Sequence, residues 1–572
     1  MKSKTVPGKS LFGLILILAI TAVSTSNTGQ SSAPAVIPPA NLSGYAAPPK
    51  DAHPKIDSAL WNLTRTWLTY QPCAGTERAT AGGIGDLIRM VVESAPVFEP
   101  TFEPTFGRNF HKPLRNIVGK RIEALGGVVE RTWGSDIQAL LPACSIESLA
   151  AMPQILRLRL PFIPRPAEVV SEGVGLSGAS SWFSLPSYRT GIDPVKIAIL
   201  DLGFKGYGDL LGTELPAGTI VRSFRADGDI EAGTAHGSAC AEIVHDLAPD
   251  AGIYLLNFET DVEFHAAVDY LISEKVAVVS CSLVWTGAGA GDGTGPICRD
   301  VVKSAAAGIL WVNAAGDDAQ SHWQGPFSDT DGDLFQNFSG ADEILQWEVP
   351  AGAWTRATLT WNDWGTWDGS SYGVPTRDYD LLLWRWNGSA WELLEYCDDW
   401  QTGEAGQKPL EQSSLWKTDQ KTYYGVSILK FYAIDNSTFD LTVQGNSGSI
   451  EYAAAEGSLG IPADAAEAIA VGATVAGTDA LLPASSQGPT NDGRIKPDLS
   501  AFSGVSTRTF GTAGFSGTSA AAPHVAGALG LMKGKTPYSA AQLRTILEKR
   551  ALDLGTAGKD NLYGYGRLNL KK

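Results

Sequence analysis

Val195-Lys-Ile-Ala-Ile-Leu-Asp-Leu-Gly-Phe204 decides the architecture of the larger part of this chain. Val195–Leu200 is an apolar run of strand length, apolar on both of its faces, as expected of a strand buried inside a parallel sheet. It ends at Asp201, and in open α/β sheets functional residues collect at the carboxyl ends of strands. Ala251–Asn257, Val276–Leu283 and Ile309–Ala314 repeat the pattern. Helical segments separate them, at His236–His245, Val262–Glu274 and about Arg299–Ala307. This alternation predicts an α/β fold with a doubly wound, mostly parallel sheet.

The pattern changes on both sides. From Ile344 to Val443 the chain is rich in Trp, Thr and Tyr at alternating spacing, with the hairpin signal Asn387-Gly388 between two strands. This reads as an all-β sandwich. Helix-and-strand character returns around Ala463–Thr474, so the sandwich is an insertion in an exposed loop. Towards the N-terminus, Leu87–Val92, Leu114–Leu125, Val128–Thr132, Ile137–Leu141, Ser145–Ala151 and Ile155–Leu160 follow the order βαββαβ, the ferredoxin-like α+β arrangement.

The start of the chain carries Lys2, Lys4 and Lys9 before the uncharged apolar run Leu11–Val23. That is a secretory signal, too short to span a bilayer comfortably. The readings divide the 572 residues into a signal peptide (1–25), a linker and N-terminal extension (26–83), the ferredoxin-like unit (84–162), a second linker (163–190), the first part of the sheet domain (191–327), the inserted sandwich (328–450) and the second part of the sheet domain (451–572). A helix is expected around Ile56–Tyr70. A short repeat over Phe98–Phe106 sits in a loop, because its prolines block regular structure.

Hydrophobic residues make up 44% of the chain and charged ones 18%, enough apolar surface for a large core. The net charge of -17 argues against non-specific nucleic-acid binding, which needs Lys and Arg to displace counterions. Six cysteines in an exported chain permit disulfides, and one or two bonded pairs are expected.

Three segments carry chemistry. Asp201 closes its strand. His236 lies in Gly233-Thr-Ala-His-Gly-Ser-Ala-Cys240, where a loop rises into a helix and Gly237 allows close backbone approach. Ser519 lies in Phe515-Ser-Gly-Thr-Ser-Ala-Ala-Ala-Pro-His-Val-Ala-Gly527, small residues on both sides, before an apolar helix over Val525–Met532. A serine at a helix N-terminus has backbone N–H groups and the positive dipole end beside it. Each signal alone is weak: strands often end in Asp, and Ser is a common N-cap.

Together, Asp201-Leu-Gly, His236-Gly and Gly517-Thr-Ser-Ala-Ala-Ala-Pro-His524 resemble the motifs of the subtilisin-like (subtilase, peptidase S8) serine peptidases, in that family's chain order. The resemblance spans about residues 190–325 and 455–570, and Lys496-Pro-Asp498 and Tyr563-Gly-Tyr-Gly566 agree with it. It implies Ser519 as nucleophile, His236 as general base, Asp201 as the acid that orients it, and an acyl-enzyme. It implies protein or peptide substrates, a chain secreted without a stable membrane span, and a ferredoxin-like unit that acts as an inhibitory propeptide removed near Ala167–Gly191. The sandwich resembles the P-domain or pre-peptidase sandwiches of related enzymes. Ser282-Leu283-Val284 aligns with the substrate-binding strand, Val284 standing where glycine is frequent.

One departure matters. The family's oxyanion-hole asparagine falls in Ala-Ala-Gly-Asn, and here the segment is Ala314-Ala-Gly-Asp317. Asn donates, whereas ionised Asp only accepts. Three readings stay open: a protonated Asp317 that donates at acidic pH, a slow enzyme relying on the Ser519 N–H, or a catalytically inactive binding protein on the same fold. No cofactor is required for the chemistry. Asp329, Asp331 and Asp333 alternate around Gly332 in a pattern that suits calcium as well as an ordinary acidic turn. His524 reads as structural, and His245 and His265 as packing or surface residues without a partner.

Overall fold

The computed structural model describes residues 53–70, 87–94, 112–162, 165–166, 172–188, 194–445 and 448–571. The signal segment, the Phe98–Phe106 repeat, Cys73 and most of the 163–171 stretch lie outside the described residues. Two compact units are present: Met1–Pro34 with His53–Pro161, and Ala35–Ala52 with Phe162–Lys572.

The first unit contains α1 (Ser58–Tyr70), β1 (Leu87–Ser94), α2 (Lys112–Ala124), β2 (Val128–Trp133), β3 (Asp136–Pro142), α3 (Ile146–Ala150) and β4 (Ile155–Arg159). Its sheet runs β2-β3-β1-β4, antiparallel throughout, as the βαββαβ reading requires. One boundary needs correction. Helix α1, assigned from sequence to the 26–83 extension, belongs to this unit. Ile56 and Leu60 are fully buried in its core. Asp57 caps the helix, accepting from Leu60 N at 2.7 Å, while its other oxygen accepts from Leu160 N at 2.9 Å and ties the helix to the end of β4.

The second unit opens with β5 (Arg165–Pro166) and two short helices, α4 (Gly173–Ser177) and α5 (Ser180–Phe183). Residues 163–190 are therefore not a plain linker. Ala179 is buried, Val174, Leu176, Trp182 and Phe183 pack against the core, and Trp182 Nε1 donates to Leu570 O at 2.9 Å.

Next come β6 (Lys196–Asp201), β7 (Ile220–Ser223), α6 (His236–Leu247), β8 (Gly252–Asn257), α7 (Asp261–Ser273), β9 (Val278–Cys281), β10 (Leu283–Val284), α8 (Pro296–Ala306) and β11 (Leu310–Ala314). The sandwich follows: β12 (His322–Pro326), β13 (Leu345–Val349), β14 (Trp354–Trp361), β15 (Asp378–Trp386), β16 (Trp391–Cys397), β17 (Leu410–Gln412), β18 (Trp416–Lys417), β19 (Thr422–Tyr432) and β20 (Thr438–Gly445). The chain returns through β21 (Ile469–Val475), β22 (Leu499–Ser503), β23 (Val505–Thr507), β24 (Gly511–Phe515), α9 (Thr518–Lys535) and α10 (Ala540–Arg550).

The main sheet has seven strands in the order β22-β21-β11-β9-β6-β8-β7, all parallel. Strand β6 shows why its sequence is apolar on both faces. Ile197 and Ile199 enter one core with α6 and α9, while Ala198 and Leu200 enter another with α7 and α8. The sandwich has a sheet β12-β20-β14-β17 facing a sheet β13-β19-β15-β16, around a core that includes Trp347, Trp361, Tyr379 and Phe439. Its first strand begins at His322, ahead of the expected boundary at 328.

The insertion leaves and re-enters the sheet domain at one place. Gly460 N donates to Ala315 O at 2.9 Å, and Ile450 N to Gln320 O at 2.9 Å. The segment Ala315–Ala319, which contains Asp317, therefore bridges the parallel sheet and the sandwich. Among the described residues no helix is long and apolar enough to cross a membrane. The expected disulfides are absent among them: Cys144, Cys240, Cys281, Cys298 and Cys397 are free thiols, dispersed over different elements, and all but Cys144 are buried.

Candidate active site

Asp201, His236 and Ser519 come together at the carboxyl edge of the parallel sheet. Asp201 is the last residue of β6 and His236 the first of α6. His236 Nδ1 donates to Asp201 Oδ2 at 2.6 Å, and Leu202 N donates to Asp201 Oδ1 at 2.8 Å. Both side chains are buried. Close packing depends on Gly237, where a Cβ would stand 2.6–2.7 Å from Phe204, Asp201 and Gly203 O.

With its Nδ1 proton on Asp201, the imidazole presents Nε2 as an acceptor; Nε2 is buried and has no hydrogen-bond partner here. Burial presses the His236 pKa down, but the Asp201 carboxylate outweighs it, aided by Cys240, and holds the imidazolium well above its ordinary range. Phe515 packs on the ring with centroids 5.3 Å apart.

Ser519 is the second residue of α9 and is fully buried. Its hydroxyl donates to Ser282 O at 2.9 Å, and Ser282 Oγ donates back to Ser519 O at 3.0 Å. The second bond has a cause in the sequence. Pro523 lies four residues on and has no N–H, so the Ser519 carbonyl lacks its helical donor. Ser282 supplies one. Cys240 Sγ lies 3.7 Å from the same carbonyl and 3.9 Å from His236 Nδ1, so one thiol touches both serine and histidine.

Asp317 faces the same helix terminus. Its Oδ1 accepts from Thr518 N at 2.9 Å, and Gly316 N donates to Thr518 Oγ1 at 3.1 Å. The carboxylate thus serves the first turn of α9 as an acceptor. Strand β10 carries Leu283 and Val284 beside the serine, and it pairs antiparallel with Arg165–Pro166.

Elsewhere, the oxygens of Asp329, Asp331 and Asp333 lie within 4.8 Å of one another and could hold a cation. The turn also uses them itself: Gly332 N and Leu334 N donate to Asp329, and Phe335 N to Asp333. Buried Glu343 is pushed up to about 7, first by burial and then by the charges of Asp333, Asp331 and Asp329. His524 is buried with Nδ1 on Ala520 O at 2.7 Å, and burial lowers its pKa to about 4, which keeps it neutral. His265, expected to be partnerless, pairs with buried Asp300 between α7 and α8.

Of the residues expected from sequence, the structure brings Asp201, His236, Ser519 and Asp317 together. Sequence reasoning missed Thr518, Cys240 and the reciprocal Ser282 bonds; the one available signal was Pro523, four residues beyond the serine.

Comparison with known proteins gives a consistent picture. The profile of the Subtilase family matches residues 414–566, a span that includes Ser519 and leaves Asp201 and His236 outside. An extracellular serine protease of Serratia marcescens is 51% identical over 57 residues, 10% of this chain and 6% of that protein. Subtilisin Savinase of Lederbergia lenta is 37% identical over 130 residues, 23% of this chain and 43% of that protein. The matches thus span less than half the length of these relatives. Among solved structures, the CspB protease of Clostridium perfringens aligns over 66% of this chain and 93% of its own, at 16% identity and a TM-score of 0.45.

Proposed function

We infer, from the match of residues 414–566 to the Subtilase family together with the three motifs, that the chain is a subtilase, a serine endopeptidase that hydrolyses peptide bonds through Asp201, His236 and Ser519. The observation that carries this reading is the buried 2.6 Å bond between His236 Nδ1 and Asp201, beside a serine at a helix N-terminus. Ser519 Oγ adds to the substrate carbonyl and passes its proton to His236 Nε2. The imidazolium, held by Asp201, then gives that proton to the leaving amine. Water repeats the sequence on the acyl-enzyme. The first unit is the protein's own inhibitor, attached through the strand that occupies the edge of β10. The apolar run Leu11–Val23 directs export, in keeping with relatives named as extracellular proteases.

The developing oxyanion is served by the Ser519 N–H, and by Asp317 poorly, the Thr518 N–H being already given to that carboxylate. A missing oxyanion donor costs about 10²–10³ in rate. Because neutral imidazole is the base and Asp201 holds its pKa up, activity should climb with pH into the alkaline range. Asp317→Asn should raise kcat/KM by about 10-fold or more at pH 8 and leave that limb in place. A pH–rate profile of both proteins decides. An acidic optimum lost in the variant would favour a protonated, donating Asp317. No labelling of the wild type by a fluorophosphonate probe at any pH would leave the inactive binding protein.

Calcium is proposed as a ligand of Asp329, Asp331 and Asp333, remote from the chemistry. Calcium should then raise the Tm of the wild type and not of Asp331→Asn; equal shifts in both refute it.

A further inference from the structure

A short hairpin connects the parallel sheet to the helix that carries Ser519. Strands β23 and β24 form a two-stranded sheet of their own. The hairpin is closed at its base just ahead of Ser519. There Gly517 N donates to Ser503 Oγ at 2.9 Å, and Gly504 N to Phe515 O at 3.3 Å. Two paired strands are marginal by themselves in water. The tip, Arg508-Thr509-Phe510, leaves Arg508 and Phe510 exposed, so its position depends on what anchors it.

The buried anchor is Glu242, on the helix that His236 begins. Glu242 is 2% exposed. Its Oε2 accepts from Arg508 N at 2.5 Å. Its Oε1 accepts from Thr509 N at 3.1 Å and also from the Thr509 hydroxyl. Bonds to a carboxylate are about twice as strong as those between neutral groups. The other ties at the tip lie at the surface: Arg508 reaches Thr213 Oγ1 at 3.2 Å and Glu214 at 4.0 Å.

The hairpin covers the imidazole. Phe515, the last residue of β24, packs on the His236 ring with centroids 5.3 Å apart, and Phe510 of the tip packs on Phe515 at 5.7 Å. We propose that Glu242 is a positioning residue for the general base: by tying the hairpin tip to α6 it keeps Phe510 and Phe515 seated over His236 and water away from the ring. This inference rests on the peptidase reading above, and Glu242 itself touches no reacting atom.

The consequence for pH has a definite sign. Burial presses the His236 pKa down, against Asp201 on β6 and Cys240 on α6, which raise it. Once the tip is released the imidazolium is better hydrated and its pKa rises. Neutral imidazole, the form that takes the Ser519 proton, then prevails only at higher pH. Losing the Glu242 charge alone acts in the opposite sense, because a nearby anion favours imidazolium. The charged groups around Glu242 are Arg508 at the tip, Glu214, and Asp246, which burial, Glu214 and Glu242 hold up to about 6.

The rate of fluorophosphonate labelling of Ser519 is measured against pH for the wild type, Glu242→Ala, Glu242→Gln and Thr509→Val. Glu242→Ala should move the rising limb up by about half a pH unit or more, slowing labelling about 3-fold or more below the limb. Glu242→Gln keeps Oε1 for the two Thr509 donors and should move it less than half as far. Thr509→Val removes one donor, keeps the charge, and should shift the limb upward; it suffices if Glu242→Ala does not fold. A limb that stays or moves down in both Glu242→Ala and Thr509→Val overturns the proposal, as does an equal shift in Glu242→Ala and Glu242→Gln; either result spares the peptidase reading. No labelling of the wild type at any pH overturns both.

Discussion

Ser519 stands at a point where one proline decides how the side chain proposed as nucleophile is held. Pro523 removes a helical N–H, which releases the Ser519 carbonyl to Ser282, and the same Ser282 receives the Ser519 hydroxyl. The serine is gripped at both ends by one neighbour, Ser282, just ahead of β10. Ser282→Ala removes the hydroxyl that donates to the buried Ser519 carbonyl, beside which the Cys240 thiol stands at 3.7 Å. A buried carbonyl that loses its partner costs about 1–3 kcal/mol. The variant should lose about that much stability in urea unfolding and label more slowly with a fluorophosphonate. Unchanged stability and labelling would mean that the bond is incidental.

At the scale of elements, the sequence was readable wherever a local pattern carried the information. Strand β6 is apolar at every inward position because it is buried on both faces, and β1 to β4 fall within about two residues of their expected ends. Asp201, His236 and Ser519 were legible as candidates because each sits in a short run of small residues at a strand or helix terminus. What was not legible depended on partners far along the chain. Strand β12 falls outside the expected bounds of the sandwich; it ends in Gly325 and Pro326 and lies at the edge of its sheet, where a terminal proline needs no ladder partner on its outer side. Helix α1 looked like part of an extension because nothing local shows that Ile56 and Leu60 meet the first unit's core. Asp317 was singled out as an acid where the resembled family has an amide. That it would accept from Thr518 N could be learned only from the fold.

For the whole molecule, the placement of the sandwich matters more than its size. It hangs from the Asp317 segment at one end and from Gly460 at the other, and the two ends are joined where Gly460 N donates to Ala315 O at 2.9 Å. Loop Thr286–Gly295, which follows β10, is braced from the sandwich side. Gln444 Nε2 donates to Thr286 Oγ1 at 2.9 Å, and Tyr372 Oη receives Ala290 N at 3.2 Å. Additional cross-links hold the C-terminal half together. Buried Asp498 accepts from Lys496 at 2.6 Å and Lys559 at 2.8 Å, and meets Arg544 of α10 at 3.1 Å. Burial alone would raise its pKa; the three cations together hold it well below the carboxylate range.

The common exit and entry of the insertion also constrains the order of events as the chain folds. Strands β11 and β21 are neighbours, Val312 against Ile469, yet the entire sandwich lies between them in the chain. Closing that span as open coil is costlier than closing the short remainder left once the sandwich has formed and joined Gln320 to Ile450, by about 2 kcal/mol. The sandwich should therefore form first and act as a clasp for the sheet. Trp361→Ala, which opens the sandwich core, should delay hydrogen-exchange protection of β11 and β21 in pulse-labelled refolding by roughly 10-fold or more. Protection of both strands at the wild-type rate would show that the sheet closes without waiting for the clasp.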